Sequence, residues 1–363
     1  METIRTRSFA RAGLLGNPSD GYFGKTLSFT FTQFGVELVM SESSRIRFQQ
    51  GEVDDATFAS MEEMSRNLRL YGYYGGIRLL KATAKRFFDY CQEKDLALPK
   101  RNFSVEYKIN IPRLVGLSGS SAICSAMLKA LMKFYEVEIP LEMQPTICLE
   151  AERDELGINC GFQDRVIQIY NGLVFMDFDK SFVESHNHGK YERLYPSSAF
   201  NLQPSTFNLY IAYDANRAEE SGKAHKKVKR LFEEKNADVL AAMSEFADIA
   251  QQGRDLLASS NVEPSTLNLK LSTLINANFD LRDRIFNVAE ENRRMVMTAR
   301  QCGASAKFAG SGGAIVGTYA DEAQFERLKA DLASIGTLVL KPTIATAADE
   351  TAEIAGFGNW RNS

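Results

Sequence analysis

The chain has 363 residues, 44% hydrophobic and 25% charged, and a formal net charge of -3 from 43 basic and 46 acidic side chains. That length accommodates two domains, each with its own core, and the near-balance of charge offers no basic footprint for a nucleic-acid backbone. Five scattered cysteines (Cys91, Cys124, Cys148, Cys160 and Cys302) form no CxxC pair, which argues against a disulfide framework or a zinc site and suits a reducing compartment.

The N-terminal METIRTRSFARAGLLG is basic but has no apolar stretch of signal-peptide length, and no run approaches the roughly 20 apolar residues of a membrane span, so a cytoplasmic protein is expected. Alternation predicts strands at 26–40 and 103–111, and helical spacing of Ile77, Leu80, Ala84, Phe87 and Phe88 predicts a helix over 76–92. A strongly apolar helix is expected at 119–135, then two helices at 146–156 and 163–170 and a strand at 172–178. The polar stretch 181–206 reads as a domain junction, placing domains at 1–190 and 191–363. Beyond it a strand at 209–214, a mostly helical 222–300, a strand at 312–319, a helix at 321–334 and a closing strand at 337–345 are expected. Strands and helices mix without strict βαβ alternation, which predicts an α+β fold rather than a doubly wound sheet. His186, His188 and His225 lie far from any motif and are expected at the surface.

Three stretches carry chemistry. The first is IPRLVGLSGSSA, Ile111 to Ala122, between a strand and an apolar helix. Gly116 and Gly119 allow close backbone approach, and Ser118, Ser120 and Ser121 crowd a helix N-terminus, which attracts anions through unpaired N–H groups and its dipole. A helix cap needs one serine, not three interleaved with two glycines. The absence of GK[ST] excludes a Walker A loop. The second is AERDELGINCGFQDR, Ala151 to Arg165. Arg153, Asp154 and Glu155 read as a solvated face, whereas Asp164 interrupts the apolar FQDRVIQIY and so requires a partner or a role. The third is FARAGLLGNPSDGYFGK, Phe9 to Lys25, which by itself reads as a strand and an N-P-S-D-G turn.

Pro112 and the run Gly116–Ala122 resemble motif 2 of the GHMP kinases, which hold nucleotide phosphates at a helix N-terminus. The loop here is one residue longer than the commoner GLGSSA. The resemblance implies that Gly116, Leu117, Ser118, Gly119, Ser120 and Ser121 cradle the ATP phosphates and that Ser121 also contacts Mg2+ (or Mn2+). The second stretch resembles the galactokinase segment AEHxFxGxPCGIMDQ, with Glu152 implied as a metal ligand and Asp164 as the carboxylate facing the acceptor hydroxyl. Arg165 and Asn159 depart from that segment, and neither change is expected to touch the two carboxylates. The third resembles GRVNLIGEHTDY, which implies Arg11 beside the catalytic aspartate and Asp20 and Tyr22 at the sugar.

Asn17 stands where that motif has glutamate, and a neutral amide there would donate to the carboxylate of a uronic acid instead of repelling it. AKFAGSGGA (306–314) resembles a short motif 3, with Gly312 and Gly313 implied against substrate and phosphates. Together with YGYYGGIRLL (71–80), these stretches are similar to the plant glucuronokinase family over the whole chain. The resemblance implies a two-domain fold with the active site in the cleft, and transfer of a phosphoryl group from ATP to the anomeric hydroxyl of D-glucuronate. Galacturonate, hexose or heptose as acceptor, and a silent sugar sensor, stay open as alternatives. Arg78, Lys25 and Arg165 are unranked candidates for the uronate carboxylate, and Tyr73 and Tyr74 for stacking. Neither nucleic acid nor membrane is expected as a partner, and the sequence leaves the oligomeric state open.

Overall fold

Two long strands rich in β-branched and aromatic residues begin the fold, β1 (Thr3–Leu15) and β2 (Lys25–Ser43), paired antiparallel along most of their length. This is a computed structural model that describes residues 3–49, 76–198, 208–214, 222–259, 262–286 and 288–350. The free side of β2 is shared: residues 36–43 pair with β4 (Asn102–Ile109), residues 25–29 with β5 (Leu173–Asp177). β3 (Arg47–Phe48) and β6 (Lys190–Tyr195) complete a six-stranded sheet. The second sheet has the order β10-β7-β9-β8, made of β7 (Leu209–Tyr213), β8 (Lys307–Phe308), β9 (Ala314–Thr318) and β10 (Leu338–Leu340).

Helices α1 (Gly76–Glu93) and α2 (Gly119–Tyr135) cover the first sheet. α3 (Gln144–Glu150) runs into a wider π turn at Ala151–Glu155, and α4 (Gln163–Tyr170) follows. α5 (Lys180–His186) precedes β6; α6 (Gly222–Glu233), α7 (Ala237–Ala258), α8 (Pro264–Ile285), α9 (Glu290–Gln301) and α10 (Glu322–Ala333) fill the C-terminal half. The apolar run predicted to be a helix from 119 to 135 has those ends in the structure.

β1 is buried on both faces from Thr6 onward, unlike a half-solvated strand, because α2 lies on one side and α7 and α8 reach it from the other. One hydrophobic core runs from Phe29 and Leu38 through Phe246 and Ile275 to Val316, so the two sheets share apolar interior. The described part of the polar 181–206 segment carries secondary structure of its own. Lys190–Tyr195 is an edge strand of the first sheet, with Lys190 exposed and Glu192 partly exposed on one face and Arg193 bonded to the Tyr170 carbonyl. The boundary expected at 190/191 therefore falls where this strand begins. His186 is exposed. Tyr73 and Tyr74 lie outside the described residues. Among the described residues no helix is long and apolar enough to cross a membrane, and the five cysteines are free thiols.

Candidate active site

Arg11 ties the three sequence motifs together. Strand β1 carries it inward until only 5% of it is exposed, and its guanidinium then meets three groups. Nε donates to Asp164 Oδ1 at 2.6 Å, and Nη1 donates to the carbonyls of Gly116 at 2.5 Å and Ala309 at 3.1 Å. The Arg11 N–H also reaches the Leu117 carbonyl at 3.4 Å. The N-terminal strand, the glycine–serine loop, the first turn of α4 and the glycine turn after β8 thus converge on one side chain.

The glycine–serine loop reaches α2 through left-handed backbone at Leu114, Gly116 and Ser118 (φ 59, 73 and 64°). At Gly116 a side chain is excluded twice over, by that φ and by the Gly312 carbonyl 2.6 Å from where a Cβ would sit. None of the serines caps α2 with its side chain. The Ser118 hydroxyl donates instead to Asp164 Oδ2, so this residue, expected at the phosphates, is committed to the carboxylate. Leu117 is in the core and offers only its backbone. Gly119 and Ser120, partly buried, begin α2, where first-turn N–H groups lack intrahelical partners. Ser121 is fully buried and its hydroxyl has one long contact, 3.4 Å to the Ser118 carbonyl. Gln168, which sequence reasoning missed, fastens the loop to β1 by donating to the carbonyls of Phe9 (3.0 Å) and Ser118 (2.9 Å).

Asp164 is 23% exposed at the side chain. Burial pushes its carboxyl up, but the charges of Arg11 and Arg165 and the hydrogen bonds from Arg11 and Ser118 outweigh that and hold it below the usual carboxylate range. Asp20 behaves oppositely. Burial first, and the negative charge of Asp164 second, push it up to about 6 despite the Gln163 N–H that it accepts at 3.3 Å. Two neighbouring carboxyl groups are therefore driven apart in pKa, one fixed as an anion and one that titrates near neutrality. Tyr22, half-buried, stacks edge-on against Phe232 at 4.9 Å.

Two expectations are corrected. Arg165 does touch the carboxylates: its Nε donates to Glu152 Oε2 at 2.7 Å, its Nη2 donates to the same oxygen, and Nη1 lies 3.8 Å from Asp164 Oδ2. Arginine and glutamate are both buried, so neither tolerates being alone. Glu152 is accordingly an ion-paired carboxylate, with Oε1 buried and unpartnered.

Asn17 does not offer its amide to a ligand. It is 4% exposed, its Oδ1 accepts from the Lys307 ammonium, and its Nδ2 donates to the Phe308 carbonyl at 3.4 Å. Gly312 and Gly313 abut the glycine–serine loop, at Gly116 and Val115. The expected solvated face is present, with Arg153 and Asp154 paired in solvent and Glu155 on Lys85.

Two basic residues that sequence reasoning missed sit beside these groups. Arg282 of α8 donates from Nη1 to the Gly310 carbonyl (2.8 Å) and from Nη2 to Ser311 (2.9 Å). Lys307 of β8 donates to the carbonyls of Gly13 (2.6 Å) and Phe308 (2.8 Å) as well as to Asn17. The signal for Arg282 was its register: Leu271, Ile275, Asn278 and Phe279 form the buried stripe of α8, and Arg282 continues it where a surface charge would not.

Residues 78–172 match the family model described as GHMP kinases N terminal domain. The chain is 41% identical over 319 residues to Glucuronokinase 1 of Arabidopsis thaliana, covering 86% of this chain and 84% of that protein. It is 42% identical over 317 residues to Probable glucuronokinase 2 of the same plant, covering 85% and 82%. Among solved structures, Lactococcus lactis galactokinase complexed with galactose superposes with a TM-score of 0.70 at 15% identity, covering 95% of this chain and 94% of that one.

Proposed function

The chain belongs to the glucuronokinase family within the GHMP kinases, and from that premise we propose that it transfers the γ-phosphoryl group of ATP to the anomeric hydroxyl of D-glucuronate. The observation that carries the reading is the Arg11 hub. One guanidinium holds an ionised Asp164 while gripping both glycine-rich turns, so acceptor carboxylate and phosphate loop are fixed relative to each other. Phosphoryl transfer leaves the protein mainly positioning and electrostatic work, which such rigidity serves.

The bond formed joins the sugar's O1 to the γ-phosphorus, and the bond broken is that between the γ-phosphorus and the β,γ-bridging oxygen, which leaves with ADP. Asp164 orients the O1 hydroxyl. Because Arg11 and Arg165 hold it below the ordinary range, it is a weak base and takes the proton late, as O1 bonds to phosphorus. Arg11 keeps that carboxylate ionised, and its charge also lies close to the incoming γ-phosphate. The N–H groups at the start of α2, from Gly119 to Ser121, receive phosphate oxygens. Asp20, ionised above about pH 6, accepts hydrogen bonds from sugar hydroxyls.

The donor set fits a divalent cation carried in with the nucleotide. Glu152 retains one buried oxygen without a partner, and the Ser121 hydroxyl is nearly unengaged. Mg2+ takes few protein ligands and completes its shell with water and phosphate oxygens, which suits so short a set. Ser121 and Glu152 would hold it, and when bound it offsets charge on the phosphates.

A coupled ADP-release assay with Mg-ATP and D-glucuronate, D-galacturonate, D-galactose or D-glucose tests the reading. Turnover on glucuronate far above the others is expected. Preference for another sugar would overturn the acceptor, and no nucleotide turnover on any of them would overturn the kinase.

A further inference from the structure

Arg282 and Lys307 are buried to 4% and 1% exposure, and neither has a carboxylate partner among the described residues. Lys307 is saturated all the same: an ammonium has three protons, and its three acceptors are the carbonyls of Gly13 and Phe308 and the Asn17 amide oxygen. Arg282 is not. Two of a guanidinium's five N–H groups go to Gly310 and Ser311, while Nε is buried and unpartnered. The rings of Phe308 and Phe286 lie 5.0 and 5.5 Å from its central carbon, which tolerates a cation but does not neutralise it.

Its surroundings place Arg282 on the acceptor side. Tyr22, Arg11, Asp20 and Lys307 act on it electrostatically, and Tyr22 and Asp20 belong to the predicted sugar motif. One turn earlier on α8, Asn278 accepts from the Gly16 N–H at 2.6 Å and donates to the Asn17 carbonyl at 3.2 Å. Around the acceptor Arg11 balances Asp164 and Arg165 balances Glu152, leaving Asp20 against Arg282 and Lys307; burial first, and the charges of Arg282 and Arg11 second, push the Lys307 ammonium well below its ordinary range. A neutral hexose leaves that surplus in place. A hexuronate cancels it. The other candidate cations are engaged or remote: Arg165 with Glu152, Lys25 with Asp177 and Gln251, and Arg78 on the exposed face of α1.

We propose that Arg282 receives the C6 carboxylate of the sugar acid, while Lys307 secures Asn17 and hence the loop that presents Asp20. This rests on the glucuronokinase reading and names the residue that makes the site a uronate site.

The test compares kcat/KM for D-glucuronate and its neutral amide, D-glucuronamide, in the wild type and in Arg282→Gln, with KM for ATP measured alongside. The wild type should favour glucuronate by roughly 10- to 100-fold, the worth of a hydrogen bond to a charged group. In Arg282→Gln that preference should collapse to near unity through a raised glucuronate KM, with KM for ATP little changed. A variant that loses both substrates in equal proportion would show a mere brace for the glycine turn and overturn the proposal. Should the variant fail to melt cooperatively, Arg282→Lys decides. Its lost planar fork should cut the preference several-fold, and an unchanged ratio would overturn the assignment. A wild type that does not phosphorylate glucuronate sinks the functional reading itself. One that uses glucuronate without preferring it to the amide sinks only this inference.

Discussion

Arg11 and Arg165 each close on a carboxylate, whereas Arg282 and Lys307, just as deeply buried nearby, close on none among the described residues. The first pair builds machinery that is complete before any ligand arrives. The Asp164 carboxylate is ionised and aimed, and the cation beside it also fastens the glycine turns. The second pair carries unspent charge, which costs stability in the empty protein and is recovered when an anion binds. A kinase for an acidic sugar needs both kinds, one for the chemistry common to its superfamily and one for the acceptor.

The heaviest blow to the matched half is Asp164→Asn. It keeps the volume but removes the charge proposed to orient O1 and accept its proton, and turnover should fall by roughly 10²- to 10⁴-fold. KM for ATP should hardly move, and steady-state kinetics in both substrates would show the split. Wild-type turnover in that variant would remove Asp164 from the mechanism.

Next in size is a contrast in stability measured by urea unfolding. Arg165→Gln restores the residue seen in the galactokinase segment but strands buried Glu152, at a cost of about 3 kcal/mol. Arg282→Gln strands no charge and should cost clearly less. Equal losses would erase the distinction between matched and unmatched cations.

The smallest effect is in pH. Asp20 titrates near 6 because burial and Asp164 both penalise its anion. Below that pH kcat/KM for the sugar should fall about tenfold per unit as Asp20 takes up its proton, and Asp20→Asn should lose the inflection. Stability has a definite sign as well. From the ordinary 3.8 up to about 6 the native state holds more proton than the unfolded chain, so stability declines as pH rises through that window.

Much of this was legible in the sequence, for reasons that lie in local physics. The α2 helix declared itself by an apolar run opened with glycine and serine, and Asp164 by its place in an apolar stretch. The Arg11–Asp164 contact spans 153 positions and came only through the family resemblance. What was missed depends on tertiary register. Arg165 and Glu152 meet across an irregular turn that no periodicity describes, and the Asn17 amide is claimed by Lys307 from a strand 290 positions away. Isolated basic residues such as Arg282 look like surface charge until the packing of α8 against the β1 loop turns them inward.

The most direct test is the identity of the product. Purified protein, Mg-ATP and D-glucuronate should yield, by phosphorus and proton NMR, a single sugar phosphate whose phosphorus couples to the anomeric proton, formed in step with ADP. A phosphate on any other hydroxyl, or glucuronate left intact while ATP is consumed, would contradict the account.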